Sequence, residues 1–240
     1  MIEVYPDKET LSQAAARLFG RIAHDAVQAH GRFSIVLSGG GTPRRLYQIL
    51  SQTPGLPWEQ THVFWGDERL VPPNDPGSNY GQAKTVLLDY VPIPPENVHR
   101  MKGELDPDTA VADYTAQLRQ FTPGQLWPRF DLVLLGMGSD GHTASLFPGP
   151  VSEAERAQPV IAVTAHYDGR PAQRLTLTPL VINDAAHILF LVTGADKADV
   201  LTAVLQGPPQ PEKYPAQRIQ PRHGSLTWFV DSAAAAKLNN

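Results

Sequence analysis

At 240 residues, with 42% hydrophobic and 18% charged side chains, the chain is long and apolar enough to build one α/β domain that buries about 70–75% of its unfolded surface. A formal net charge of −4 excludes a broad nucleic-acid or anionic-membrane surface, so any phosphate must be met by a local cluster of donors. The absence of cysteine removes disulfide frameworks, zinc–thiolate centres and cysteine nucleophiles together.

Ile2 to Tyr5 predicts a short first strand. Acids at Glu3 and Asp7 stand where a secretion signal would carry basic residues, and no apolar core follows, so a cytoplasmic chain is expected. Lys8 to His30 predicts a long helix with Leu11, Ala15, Leu18, Ile22, Ala26 and Ala29 along one face. Phe33 to Leu37 is the next strand, closed by Ser38-Gly39-Gly40-Gly41-Thr42-Pro43 and followed by a helix marked by Leu46, Tyr47 and Leu50, whose first turn can hold Pro43. This glycine loop can offer bare backbone amides, a helix amino terminus and two hydroxyls to one anion, which suits a phosphate. It has neither the glycine spacing of a dinucleotide fingerprint nor the lysine of a nucleotide-triphosphate loop.

Thr61 to Trp65 predicts a third strand, ending at Gly66-Asp67-Glu68-Arg69, where two acids and a base crowd the strand's carboxyl end. A substrate role for Asp67 or Arg69 follows if that end shares a crevice with the glycine loop. The proline-rich stretch Val71 to Gly77 leads to a helix near Asn79 to Leu88, and Thr109 to Leu118 predicts another. Phe130 to Leu135 is a continuous apolar run, read as a central parallel strand. It delivers Gly136-Met137-Gly138-Ser139-Asp140-Gly141-His142 to a loop, where open α/β sheets bind their ligands.

Val160 to Thr164, Arg174 to Thr178, His187 to Thr193 and Leu226 to Val230 predict further strands, with a helix over Ala195 to Leu205. Arg170, Arg174 and Lys197 form a basic set, and a lysine in a first helical turn opposes the macrodipole, a penalty that a bound anion relieves. Gln206 to Gln220, rich in proline, is expected to be a surface loop. The alternation predicts a single α/β domain over residues 1–240: a Rossmann-like, open, mostly parallel twisted sheet with helices on both faces. No apolar run is long enough to span a bilayer. No metal-ligand spacing, such as HExxH or a calcium loop, and no GxSxG elbow is present, so neither a metal nor any other cofactor is expected.

In ordered blocks the chain resembles the 6-phosphogluconolactonases of the glucosamine-6-phosphate deaminase and isomerase superfamily. The blocks are SGGGTPRRLY from Ser38, FWGDERLVPPNDPGSNYG from Phe64, GMGSDGHTASLFPG from Gly136, RLTLTPLVIN from Arg174, VTGADKADVL from Val192, and GSLTWFVD near the carboxyl end. The resemblance implies hydrolysis of a sugar-phosphate lactone, with His142 as base and then acid and Arg69 stabilising the oxyanion. Asp67 or Asp140 would orient the imidazole or hold sugar hydroxyls, with Asp67 ranked first. Ser38, Gly39, Gly40, Gly41, Thr42 and Lys197 would hold the phosphate with Arg170 or Arg174. In the deaminases the histidine loop carries a glutamate where this chain has Phe147, and their acidic loop reads DEY where this chain has Arg69 in third place. An amino-sugar-phosphate deaminase is therefore the nearest rival, and a non-catalytic sugar-phosphate sensor a more distant one. The expected partner is a small sugar phosphate, with neither nucleic acid nor membrane.

Overall fold

The computed structural model describes residues 1–166 and 171–239. In chain order the elements are β1 (Ile2–Tyr5), α1 (Lys8–His30), β2 (Phe33–Leu37), α2 (Gly41–Leu50), β3 (Thr61–Trp65), β4 (Asp67–Arg69), α3 (Asn79–Val86) and β5 (Val98–His99). There follow α4 (Pro107–Phe121), β6 (Leu132–Leu135), α5 (Glu153–Ala157), β7 (Val160–Thr164), β8 (Gln173–Leu177), α6 (Pro179–Ile182), β9 (His187–Val192), α7 (Ala198–Gln206) and β10 (Ser225–Asp231). Among these helices none is long and apolar enough to cross a membrane.

Seven strands form one parallel sheet in the order β1-β10-β9-β6-β2-β3-β5, with helices flanking it. Every residue of β2 and β6 is buried, as a parallel strand covered on both faces requires, and this is why their sequences run apolar without alternation. α1 turns its apolar stripe inward through Leu11, Ala15, Phe19 and Ile22. It starts on Asp7, whose carboxylate accepts the Thr10 N–H, and stops at Gly31, which takes φ 80°; such a left-handed stop suits glycine. The chain moves outward from β2 to β3 and β5, then returns to the other side of β2 with β6. The crossovers reverse between β2 and β6, and a crevice opens there at the strands' carboxyl ends.

Two of the predicted strands do not join this sheet. β7 and β8 pair antiparallel with each other, and β8 pairs antiparallel with β4, forming a second, three-stranded sheet. Only residues 165–172 separate β7 from β8, too few for the crossover of a dozen or more residues that parallel neighbours need. Gly66 passes the chain from one sheet to the other: its N–H donates to Leu37 O in the first, and its carbonyl accepts the Leu177 N–H beside the second. The second predicted difference is at α7. Ala195–Lys197 form a 3-10 turn, so Lys197 precedes the α-helix as its N-cap rather than lying inside its first turn.

Near the β3–β5 edge, His99 stacks on Phe64 with centroids 4.3 Å apart, and His62 Nδ1 lies 3.2 Å from His99 Nε2. Burial, then the neighbouring His62, pushes His99 down to about 4, and burial, then Arg32, lowers His62. The folded protein thus keeps these rings neutral, whereas the unfolded chain takes up protons below about 6.5. Their contribution to stability is complete above that pH and is lost as pH falls towards about 4. The urea midpoint is expected to fall over this window, and His99→Leu should flatten the fall. An unchanged slope in the variant would show that His99 does not carry it.

Candidate active site

A cavity of about 240 Å³ lies over the crevice between β2 and β6, small for a drug-sized ligand and matched to a small metabolite. Its walls come from four strand ends: Ser38 to Pro43 after β2, Asp67 and Arg69 in β4, Gly136 to Gly138 with His142 after β6, and Thr193 with Lys197 after β9. Arg174, from β8, and Asn79, at the start of α3, complete it. Ser38, Gly39, Gly40, Gly41, Thr42, Asp67, Arg69, His142, Arg174 and Lys197 therefore meet around one space. Arg170 lies outside the described residues.

The glycine loop is built from both sides. Tyr47, in the second turn of α2, accepts the Ser38 N–H at 3.0 Å and donates to Ser38 O at 2.7 Å. Gly40, the N-cap of α2, has φ 111° and supplies no side-chain acceptor to the first turn, so the helix presents its amino-terminal N–H groups unfilled. At Gly39 a Cβ would come within 2.0 Å of Asn79 Oδ1, so a side chain there would displace Asn79. Thr42 and Thr193 share a 2.7 Å hydroxyl bond that ties the loop to the end of β9. Beside Thr193, Gly194 takes φ 103° and donates its N–H to both Asp231 oxygens, at 3.0 and 3.1 Å. That turn delivers Lys197, whose side chain is 20% exposed and whose Nζ is 2.9 Å from Asp196 Oδ2.

The two aspartates divide their work differently from the sequence ranking. Asp140 Oδ1 lies 2.6 Å from His142 Nδ1 and also accepts the His142 N–H at 3.1 Å. Asp67 instead accepts from Ser145 Oγ at 2.7 Å and from Asn79 Nδ2 at 3.2 Å. It is thus Asp140 that contacts the imidazole, and Asp67 lines the cavity as a carboxylate held from two sides. The reason is local: Asp140 and His142 flank Gly141, which has φ 82°, and this tight turn folds the two side chains together. Asp67 would have to reach across from another sheet. A carboxylate only accepts, so in the neutral imidazole the Asp140 contact selects the tautomer that carries its proton on Nδ1.

Ala144, with φ 49°, is the one non-glycine residue among those described with positive φ, and it also lines the cavity. That strained turn sets Ser145 under Asp67, while Thr143 Oγ1 donates to Gly136 O at 2.8 Å. The loop after β4 is secured by Glu68, a buried carboxylate that accepts N–H groups from Arg69, Asn79 and Tyr80 and the Ser78 hydroxyl. Burial raises its pKa and these four bonds oppose the rise. One arm of Arg69 is committed to Gly77 O at 2.5 Å.

Sequence reasoning missed Asn79, Ser145 and Thr193. Each is an ordinary polar residue at a helix start or turn, and only its contact with Asp67 or Thr42 marks it. Among the described residues no three His, Asp or Glu side chains are grouped to hold a metal ion.

A family model described as glucosamine-6-phosphate isomerases/6-phosphogluconolactonase matches residues 6–228. A 6-phosphogluconolactonase of Nostoc sp. is 41% identical over 242 residues, covering 99% of this chain and 98% of its own. One of Rattus norvegicus is 37% identical over 244 residues, covering 100% and 94%. The solved structure of the 6-phosphogluconolactonase from Trypanosoma brucei superposes with a TM-score of 0.88 at 31% identity, covering 100% of this chain and 98% of that one.

Proposed function

The chain belongs to the family of glucosamine-6-phosphate isomerases and 6-phosphogluconolactonases, and on that footing we propose that it hydrolyses 6-phospho-D-glucono-1,5-lactone to 6-phospho-D-gluconate in the oxidative pentose phosphate pathway. The observation that carries this reading is the shared cavity: the glycine loop at Ser38–Thr42, the Lys197 side chain and the His142 imidazole all line one space.

His142 Nε2 takes a proton from water as its oxygen attacks C1 of the lactone. Asp140, at Nδ1, stabilises the imidazolium that forms. Negative charge develops on the carbonyl oxygen of the tetrahedral intermediate, and Arg69 is the donor assigned to it, with Arg174 on the adjoining wall. When the C1–O5 bond breaks, O5 receives the proton held by His142, so water and lactone become acid and alcohol with nothing else consumed. Asp67, unable to reach the imidazole's Nδ1 while Asp140 holds it, is suited to bind a sugar hydroxyl. The glycine loop and Lys197 hold the 6-phosphate.

The test is loss of fresh 6-phosphoglucono-δ-lactone against its spontaneous hydrolysis, with the unphosphorylated lactone as control. Rapid turnover of the phosphorylated substrate alone is expected. Ammonia release from glucosamine 6-phosphate, faster than lactone hydrolysis, would replace this reading with a deaminase. That rival would need a second acid near the imidazole; the neighbouring ring is Phe147, with centroids 5.1 Å apart. Lys197→Ala should raise KM about 10- to 100-fold with kcat little changed, the scale of one hydrogen bond to a charged group. Unaltered KM would detach Lys197 from the phosphate.

A further inference from the structure

Arg218 lies in the proline-rich segment after α7, outside the cavity wall, yet its guanidinium makes five hydrogen bonds beside the histidine loop. Its Nη2 donates to Phe147 O at 3.3 Å and Gly149 O at 2.8 Å, its Nε to Pro211 O at 2.8 Å, and its Nη1 to both oxygens of Glu155, at 3.2 and 3.0 Å. The Arg218 and Glu155 side chains are only 6% and 7% exposed. A buried ion pair is a poor source of net stability, because desolvation offsets most of its attraction, so its value lies more in fixing geometry. A guanidinium's planar fork is suited to holding two carbonyls at a set separation.

Those two carbonyls bracket Pro148, at the end of the loop that carries His142. The ring of Phe147 contacts two groups of the site: its centroid is 5.1 Å from that of His142 and 5.4 Å from Arg174 Cζ. The same proline-rich segment meets the loop's other end, where Ala216 N–H donates to Gly141 O at 2.9 Å. Gly141 leaves no room for a Cβ, which would come within 2.9 Å of Tyr214.

We propose that Arg218 is a positioning residue for the lactonase reaction: anchored by Glu155, it fixes the backbone at Phe147, and the Phe147 ring sets the separation of the His142 imidazole and the Arg174 guanidinium. The segment 206–220 is thereby a functional brace rather than a surface connection. This rests on His142 acting on the lactone, which turnover by the parent protein in the same assay tests separately. A parent without lactone turnover would remove that reading; a parent with turnover leaves the variants to decide this one.

The experiment is a double-mutant cycle with Arg218→Lys, Phe147→Leu and the pair, followed as kcat and KM on 6-phosphoglucono-δ-lactone and as melting temperature. Each single variant is expected to lose about 10-fold in kcat with KM within about twofold, since misplacement acts on the reacting geometry. The pair should lose no more than the worse single variant, because both act through one ring. Glu155→Gln, which loosens the anchor while leaving Arg218 and Phe147 in place, should lower kcat in the same direction by a smaller factor; a lowered melting temperature with parental kcat would overturn the anchoring role. A folded Arg218→Lys protein with parental kcat, or losses that multiply in the pair, would overturn the proposal. Phe147→Leu leaves the Arg218–Glu155 pair intact, so a parental kcat in that variant would overturn it even if Arg218→Lys failed to fold.

Discussion

His142→Ala is expected to lower kcat for 6-phosphoglucono-δ-lactone about 100- to 10,000-fold while leaving binding of 6-phosphogluconate nearly unchanged. The asymmetry follows from the division of the cavity. In the proposed binding mode the phosphate is met by the Ser38–Thr42 loop and Lys197, which line the cavity from strand ends other than the one carrying His142. Removing the ring therefore takes away the proton acceptor and donor without disturbing the cradle. What remains is a bound lactone next to an arginine, with water no longer activated. Stopped-flow assays corrected for spontaneous hydrolysis, paired with calorimetry on the product, measure both quantities. Turnover equal to the parent would remove His142 as the base, and equal losses in turnover and product affinity would point to a collapsed loop.

Gly138→Ala is expected to cost nearly as much by a wholly different route. Gly138 is not among the glycines with positive φ, so an alanine backbone is allowed there and the effect is steric. Its Cβ would come 2.2 Å from His142 Nδ1 and 2.7 Å from Asp140 Oδ1. Both are side-chain rather than backbone atoms, so the protein should fold and relieve the clash by separating the imidazole from its carboxylate. A displacement of about 1 Å at a reacting group can cost about 100-fold, and here the ring also loses the partner that selects its tautomer. The expected result is a kcat at least about 100-fold lower, with melting temperature and product affinity near those of the parent. A parental kcat in this variant would mean that the Asp140–His142 contact is dispensable to the reaction.

Much of the scaffold was legible because burial on both faces leaves a plain mark. β2, β3 and β6 are short apolar runs ended by glycine, and α1 carries an unbroken helical stripe between a capping Asp7 and a terminating Gly31. The strand ends that line the cavity could be picked out before any coordinates, since a glycine loop, an acid–arginine pair and a histidine loop each followed such a run. The second sheet was not legible from the same signal. β7 and β8 have strand-like composition, but alternation does not say which sheet a strand joins, and the short 165–172 connection was the only clue. The choice between Asp67 and Asp140 was also beyond pattern reading: both precede or follow a glycine, and what separates them is the turn at Gly141.

What the chain determined by itself was the set of chemical groups and the strand end on which each would sit, because hydrophobic period and turn residues act over a few neighbours. Tertiary structure alone decided which groups touch. Ser145 reaches Asp67, Thr42 reaches Thr193, and Arg218 reaches Phe147 across separations of 78, 151 and 71 residues. Contacts of that kind depend on how two sheets and a proline-rich segment pack around one crevice, and no local preference encodes them.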